Sequence, residues 1–261
     1  MQKIKNMIAG FAKYKDLLYE LVNRDIKIRY RRSVLGLLWT ILNPILMMTV
    51  ITLVFSGFFK SNIDNFPIYY FTGNLLFSFV NEATVNAMNA IVGNGSLIKK
   101  VYVPKYLFPV SKIFSSLVNL FFSFIAMMLV MLVLRVEFHA TMLLAPVVVS
   151  YVVIFAIGLG LILATAQVFF RDTGHLYSVF TLVWMYMTPL FYPKVLLEEK
   201  LSAVLTWNPM VHYIDYMRDI VLYNTIPTLQ DNLICAAISL GFLAVGLVFF
   251  YKKQDKFILF V

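Results

Sequence analysis

Apolar residues dominate this chain in six long runs, which short polar segments separate. The first run covers 33–59 and contains no charged residue in 27 positions. An α-helix of that length reaches about 40 Å, enough to cross the roughly 30 Å hydrocarbon core of a bilayer. The other runs are predicted as membrane-spanning helices over 66–91, 113–134, 141–168, 176–193 and 232–251. The pattern predicts an all-α integral membrane protein with six spans.

The composition supports one transmembrane domain over 1–261, with the six spans in 34–251. Hydrophobic residues make up 61% of the chain and charged residues 13%, and the mean hydropathy is +0.82, outside the range of soluble domains. The first 32 residues lack the apolar core and cleavage site of a signal peptide, so we expect them to be retained. The single cysteine, Cys235, leaves no internal disulfide and no cysteine motif for a metal.

Basic residues are distributed unevenly between the two predicted faces of the membrane. Four segments hold 17 of the 22 lysines and arginines: 1–34, 92–112, 169–175 and 252–261. The positive-inside rule therefore predicts that both termini are cytoplasmic. The remaining five lie outside: Lys60, Arg135, Lys194, Lys200 and Arg218. Because the charges lie beside spans, the net charge of +9 needs no nucleic acid as a partner.

The N-terminal segment, 1–33, combines a basic patch with a predicted amphipathic helix. Its apolar residues recur at helical spacing with lysines between them: Ile4, Met7, Ile8, Phe11, Leu18, Leu21 and Val22. Such a helix lies in the inner headgroup layer of a membrane. It is either a simple anchor or also part of a docking surface for a soluble partner.

The loop after the second span has an ordered punctuation of glycine and proline. Gly93 and Gly95 end the span, and Pro104 and Pro109 follow, which leaves a short helix predicted around Ser96–Tyr102. A cytoplasmic helix between two spans acts as a lever, because pushing on it moves both spans. The alternative, a merely basic loop, explains Lys99 and Lys100 but not this punctuation.

The second predicted span carries a polar stripe on one helical face, formed by Ser78, Glu82, Asn86 and Asn89. An ionisable side chain is costly in lipid, so we expect Glu82 to face protein or water. The stripe either bonds neighbouring helices or lines an inner vestibule open to the cytoplasm.

Four short motifs occur in a recognisable order along the chain. They are Arg24-Asp25…Arg29-Tyr30…Leu35-Gly36…Trp39…Asn43-Pro44, then Leu97-Ile98-Lys99-Lys100-Val101…Pro104…Pro109, then Phe169-Phe170-Arg171-Asp172, and finally Trp207-Asn208-Pro209. The chain resembles the membrane subunits of type 2 ABC exporters for O-antigen, capsule and teichoic acid polymers in the order of these motifs, in its length and in its predicted number of spans.

The resemblance implies an assembly and a function. Two copies of the chain pair in the inner or plasma membrane of a bacterium, and two ABC ATP-binding subunits sit beneath them. The resemblance also implies that ATP and Mg belong to those partners, so we expect this permease chain to be no enzyme by itself and to bind no cofactor. The expected substrate is a lipid-linked polysaccharide or a teichoic-acid-like polymer, which moves out of the cytoplasm.

The resemblance also assigns roles to particular residues. Coupling to the ATPase is expected of Ser96, Leu97, Ile98, Lys99, Lys100, Val101 and Tyr102, with Arg171 and Asp172 at the inner end of the fourth span. The alternative for Arg171 and Asp172 is a local ion pair. The region 194–228 is expected to hold two short outer helices that dip toward the membrane and gate the exit, joined at Trp207, Asn208 and Pro209. Asn208 supplies a cap and Pro209 a first helical residue.

Aromatic residues of the fifth span suggest a path for a sugar chain. Tyr177, Phe180, Trp184 and Phe191 fall near one helical face, and sugar rings stack their C–H faces on aromatic planes. Trp39 of the first span would complete this lining, and Glu82 would belong to the path as well. The alternative is that these rings pack against lipid or protein.

A second class of function is an integral-membrane enzyme acting on lipid-linked glycans at the outer face. His212, Asp215 and Asp219 share one face of an outer helix, a spacing that suits a metal or an acid/base pair. A passive channel or receptor is a third class, but it leaves the lever-like loop unexplained.

Overall fold

The computed structural model describes residues 14–31, 35–59, 63, 65–100 and 103–260. Within these ranges the chain is helical and contains no strand. The helices are α1 (Lys15–Tyr30), α2 (Trp39–Phe59), α3 (Phe66–Met88), α4 (Ala90–Gly93), α5 (Gly95–Lys100), α6 (Leu107–Val133), α7 (Ala145–Phe169), α8 (Thr173–Tyr186), α9 (Val195–Trp207), α10 (Pro209–Val221) and α11 (Leu229–Lys253). Short 3₁₀ helices cover Gly36–Leu38, Ala140–Leu144 and Gln254–Leu259. The predicted all-α class is confirmed.

Three helical stretches of the described chain are long and apolar enough to cross a membrane: Leu107–Val133, Ala140–Phe169 and Leu229–Leu259. A shorter apolar stretch covers Trp39–Phe55. The third stretch matches the predicted sixth span, and the first begins six residues before the predicted third span. This early start is possible because Pro109 lies in the first turn of α6, where its missing N–H removes no hydrogen bond of the helix.

The predicted fifth span, 176–193, is wrong as a single helix. α8 ends at Tyr186 after 14 residues, which reach only about 21 Å. Pro189 and Pro193 cannot continue a helix, because proline has no N–H and its ring clashes with the preceding turn. The chain therefore runs from Met187 to Lys194 without a regular helix.

α3 lies at the centre of the bundle. It packs against α2, α6, α7 and α10, and its buried residues include Phe71, Leu76 and Ala83. The most extensive helix pair joins α7 to α11. The core therefore surrounds the helix that carries the predicted polar stripe.

The predicted cytoplasmic segments meet at one end of the bundle, which we call the basic end. Leu21 of α1, Ile98 of α5, Leu107 of α6 and Phe257 of the C-terminal 3₁₀ helix share one buried apolar cluster there. The Lys105 ammonium donates a hydrogen bond to the carbonyl of Gln254 at 2.7 Å. Burial lowers the pKa of Lys105, although the negative charge of Asp255 acts in the opposite direction. α1 is thus packed on the protein's own helices. The predicted stripe residues Ile4, Met7, Ile8 and Phe11 lie outside the described residues.

Candidate functional site: a polar groove at the basic end

The polar stripe of α3 follows the helical spacing that the sequence predicts, and it extends one turn further to Asn74. Ser78 donates a hydrogen bond to the Asn74 side chain at 3.1 Å. Asn86 donates to Ser116 of α6 at 3.3 Å. The stripe therefore faces α6 and a groove rather than a uniform apolar surface.

Glu82 accepts hydrogen bonds from two other helices. Its Oε1 accepts one hydrogen bond from Arg29 Nη1 of α1 at 2.5 Å and another from Asn119 Nδ2 of α6 at 2.7 Å. Ser116 donates to the same oxygen at 3.3 Å. The side chains of Arg29 and Glu82 are both about one-third exposed, so the pair lies in a wet position and not in a sealed core.

Two cavities flank this pair, and together we call them the polar groove. The outer groove has a volume of about 420 Å³, and its lining includes Arg29, Trp39, Asn43, Ser78, Glu82 and Asn119. The inner groove, nearer the basic end, has a volume of about 610 Å³, and its lining includes Arg24, Arg29, Asn86, Asn89, Asn94 and Lys112. Arg29 belongs to both. Hydroxyl, amide and charged groups at this density suit a hydrated, hydroxyl-rich chain better than lipid.

A second ion cluster links the same helices at the mouth of the inner groove. Asp25 of α1 pairs with Lys112 of α6 at 2.9 Å and with Arg24 at 3.3 Å. Arg24 also donates to the side chain of Asn94 at 3.4 Å, directly before α5. α1 is therefore tied both to α6 and to the loop predicted to couple with the ATPase.

The predicted coupling helix forms as α5, over Gly95–Lys100. Ile98 is buried in the basic-end cluster, whereas Ser96, Lys99 and Lys100 are exposed and Leu97 is partly buried. Val101 and Tyr102 lie outside the described residues. The helix thus presents its lysines outward while its apolar side holds it to the bundle.

Arg171 and Asp172 are both exposed at the end of α7. Arg171 donates to the backbone carbonyl of Phe260 at 3.0 Å, and Asp172 precedes α8 without capping it through its side chain. Arg171 therefore ties the end of α7 to the C-terminal segment. The interface role remains a prediction.

The aromatic residues of α8 form a row at a different place from the polar groove. Ring centroids are 6.0 Å apart between Tyr177 and Phe180 and 5.5 Å apart between Phe180 and Trp184. Phe180 and Trp184 line a cavity of about 300 Å³ together with Trp207, Asn208 and Pro209. This brings the predicted path and the predicted outer gate together.

Several predicted path residues have internal partners. Tyr177 is buried and its hydroxyl hydrogen-bonds Thr84 at 2.7 Å. Phe191 packs against Phe55 at 5.2 Å between centroids. Trp39, in contrast, lines the outer groove with Glu82. The expected path residues therefore lie at different places: Trp39 and Glu82 line the outer groove, Tyr177, Phe180 and Trp184 form the row on α8, and Phe191 lies beyond the end of α8.

The helices α9 and α10, predicted to lie at the outer face, join at Asn208 as predicted. The Asn208 side chain accepts from the backbone N–H of Met210 at 3.1 Å and from Trp184 Nε1 at 2.8 Å. Pro209 occupies the first helical position. The cap residue thus also holds α8 against the outer helices.

Arg218 on α10, which the charge distribution predicts on the outer side, has a buried side chain. Its Nη2 donates to the backbone carbonyls of Tyr69 and Pro189, the latter at 2.7 Å, and its guanidinium lies 3.5 Å from the centre of the Tyr69 ring. It therefore fastens the irregular chain after α8 to α3 and α10.

The residues proposed for an enzyme have other partners. His212 hydrogen-bonds the carbonyl of Thr206 at 3.0 Å, and Asp215 pairs with Lys194 at 2.7 Å. No group of three or more His, Cys, Asp or Glu residues suited to a metal occurs in the described part of the chain. Burial, followed by the charges of Asp215 and Asp231, raises the pKa of Asp219.

The contribution of α6 to the groove was not predicted from the sequence. Ser116, Asn119 and Ser123 recur at helical spacing inside an otherwise apolar span and face the stripe of α3. That periodicity of polar residues was a usable signal. Arg29 could not be predicted as the partner of Glu82, because it lies 53 positions away along the chain.

These features define an all-helical membrane protein with a hydrophilic groove among apolar helices. The profile of the ABC-2 type transporter family matches residues 16–222, and the chain belongs to this family. It is 33% identical over 257 residues to the O-antigen export system permease protein RfbA of Myxococcus xanthus, covering 96% of this chain and 97% of that protein. The family predicted from the four motifs is confirmed.

More distant relatives extend along nearly the whole chain. Another O-antigen export system permease protein RfbA, from Klebsiella pneumoniae, is 28% identical over 249 residues, 93% of each chain. The polysialic acid transport protein KpsM of Escherichia coli is 21% identical over 250 residues, which cover 95% of this chain and 97% of that protein. The enzyme alternative finds no support among these relatives.

Proposed function

We propose that this chain is the permease subunit of an ATP-driven exporter that moves a lipid-linked polysaccharide out of the cytoplasm. The observation that carries the proposal is the polar groove, which begins at the basic end and continues along α3 and α6 among apolar helices. The names of the relatives supply the substrate class, since they are export or transport proteins for O-antigen and polysialic acid. A teichoic-acid-like polymer is the alternative cargo.

The proposed assembly contains two copies of the chain and two ABC ATP-binding subunits, which hold ATP and Mg. An apolar face of α8 supports pairing or lipid contact, because Leu176, Val179 and Leu182 are all more than half exposed in the single chain. An apolar face of this kind is expected to contact lipid or another protein surface. Both termini are cytoplasmic in this proposal. The fifth of six spans consists of α8 and the irregular chain after it. The helices α9 and α10 dip into the outer leaflet.

The proposed mechanism transmits movement of the ATPase through α5. Lys99 and Lys100 face outward for contact with a partner, and Ile98 anchors the helix to the bundle. Arg24 links the residue before α5 to α1. A push on α5 therefore reaches α1, α3 and α6 together, and these helices line the groove with α2.

The test is export by the assembled complex. The chain and its ATPase partner are reconstituted in vesicles, and transfer of a lipid-linked polysaccharide across the membrane is measured with and without ATP. ATP-dependent transfer that disappears when the permease is omitted is the expected result. A host that lacks the chain but retains normal surface glycans, as measured by mass spectrometry, would contradict the proposed function.

A further inference from the structure

We infer that the Arg29–Glu82 ion pair is a latch that divides the polar groove and holds its outer part closed in the resting protein. The inference rests on the proposed function, because it assigns a regulated barrier to the proposed path. Arg29 lines both the inner and the outer groove. The pair therefore stands at the boundary between the two cavities.

The barrier spans three helices. Arg29 from α1 and Asn119 from α6 both donate to Glu82 Oε1 of α3. One turn nearer the basic end, Asn86 of α3 and Ser116 of α6 are joined by a hydrogen bond. These contacts join α1, α3 and α6 within one helical turn, so a chain that moves between these helices from the inner to the outer groove must separate them.

The energetics suit a bond that opens and closes. Both partners are about one-third exposed, and ion pairs with that exposure contribute little net stability. When Arg29 leaves, Glu82 keeps the donors Asn119 and Ser116, so its carboxylate is not stranded. Arg29 keeps access to water. Sugar hydroxyls both donate and accept hydrogen bonds, so they can replace Arg29 at Glu82 while a polymer passes.

The location of Arg29 also explains how the latch responds to the ATPase. Arg29 lies on the same helix as Arg24 and Asp25, which contact Asn94 beside α5 and Lys112 of α6. A displacement of α5 that pulls α1 moves Arg29 relative to Glu82. The latch is thus connected to the coupling helix through α1.

The experiment measures access to the groove in the full chain, without polymer or ATP. Single cysteines replace Ser78 in the outer groove or Asn89 in the inner groove, in a Cys235→Ala background. A positively charged methanethiosulfonate reagent is added at the basic, cytoplasmic face of inside-out vesicles. It cannot cross lipid, so it reaches position 78 only along the groove.

The expected result is rapid modification at position 89 in every variant and slow modification at position 78 when the pair is intact. Arg29→Gln or Glu82→Gln should accelerate modification at position 78 about tenfold or more, by raising the population of the open groove. The double exchange Arg29→Glu with Glu82→Arg should restore slow modification. Lys27→Ala is the matched control, because Lys27 is an exposed basic residue of the same helix, and it should change neither rate.

Equal rates at position 78 with and without the pair would overturn the latch. If Glu82→Gln fails to insert, Arg29→Gln decides the question, and modification at position 89 reports on the fold of each variant. Loss of the proposed function would be seen differently. If the proposed function is wrong, the chain still gives these labelling rates but does not export polysaccharide. If only the latch proposal is wrong, the labelling rates do not change with the pair and the wild-type chain still exports polymer.

Discussion

Gly158 of α7 and Gly246 of α11 face each other with their backbones in direct contact. A Cβ atom added to Gly246 would overlap the carbonyl group of Gly158, and one added to Gly158 would overlap the backbone at Phe242. Close approach of this kind is typical of membrane helices that pair through small residues. It explains why α7 and α11 form the most extensive helix pair in the described chain.

Gly246→Ala and Gly158→Ala should therefore destabilise the protein by about 1–3 kcal/mol or more, because backbone cannot move aside as a flexible side chain can. Thermal unfolding in detergent, followed by the loss of monodisperse protein, measures the effect. Gly241→Ala is the control on the same helix, since a Cβ there meets nothing within 4 Å. Equal midpoints for Gly241→Ala and Gly246→Ala would contradict the packing.

The exposed lysines of α5 provide a test of coupling. Replacing Lys99 and Lys100 by Ser should leave insertion intact, because the apolar helices and the buried Ile98 are unchanged. Export per ATP hydrolysed should fall by roughly 5-fold or more, the lower range of coupling energies between sites. The measurement is transport and ATP hydrolysis in one reconstituted preparation. Lys252→Ser, an exposed lysine at the same end, serves as the control, and an unchanged ratio in the double variant would remove α5 from the mechanism.

Phe180 is the residue of the aromatic row that best separates a path from packing. Its side chain is 53% exposed, so Phe180→Ala should cost little stability. An aromatic contact contributes about 0.5–1.5 kcal/mol, so export should fall roughly 3- to 10-fold if sugar rings stack there. Ser178→Ala, at an exposed neighbouring position outside the apolar face of α8, should export normally. Full export by Phe180→Ala would mean that the row faces lipid or protein.

Two other aromatic positions are expected to affect assembly as well as export. Trp184→Ala removes the hydrogen bond to Asn208 and the ring contacts with Phe77 and Phe155. Tyr177→Ala removes the buried hydrogen bond to Thr84. Loss of a large aromatic side chain from a packed position costs up to about 3–5 kcal/mol. Tyr177 is buried and Trp184 is partly buried against the core, so the yield of folded complex should decrease for both variants.

Asp219 predicts a particular dependence of stability on pH. Burial, together with the negative charges of Asp215 and Asp231, raises its pKa above the ordinary value of 3.8. The folded protein therefore holds this proton at a pH where the unfolded chain has lost it. The contribution of the site to stability is complete below about pH 4 and disappears as the pH rises through the folded-state pKa.

Asp219→Asn imitates the protonated form and should raise the unfolding midpoint at pH 7.5. The advantage should shrink toward pH 4, where wild type is protonated as well. Unfolding midpoints measured between pH 4 and pH 8 test this. A stabilisation that is the same at every pH would show that ionisation of Asp219 is not its cause.

Sequence alone determined the class of protein and the broad arrangement of its helices. Long apolar runs predict membrane helices because unpaired backbone groups are too costly in lipid for other conformations. Local chemistry also located Asn208 as a cap and α5 between Gly95 and Pro104, since these features depend on neighbouring residues. The spacing of Ser78, Glu82, Asn86 and Asn89 placed them on one helical face for the same reason.

Only the tertiary structure decided what that face contacts. Arg29, Glu82 and Asn119 belong to three helices that are distant in sequence, and helical periodicity says nothing about which helices become neighbours. The same limit applies to Trp39, which lines the polar groove, and to Arg218, which is buried against Tyr69 of α3. Packing of α1, α3 and α6 brought the ionic and amide groups together, because the pairing of side chains depends on helix position in space and not on spacing along the chain.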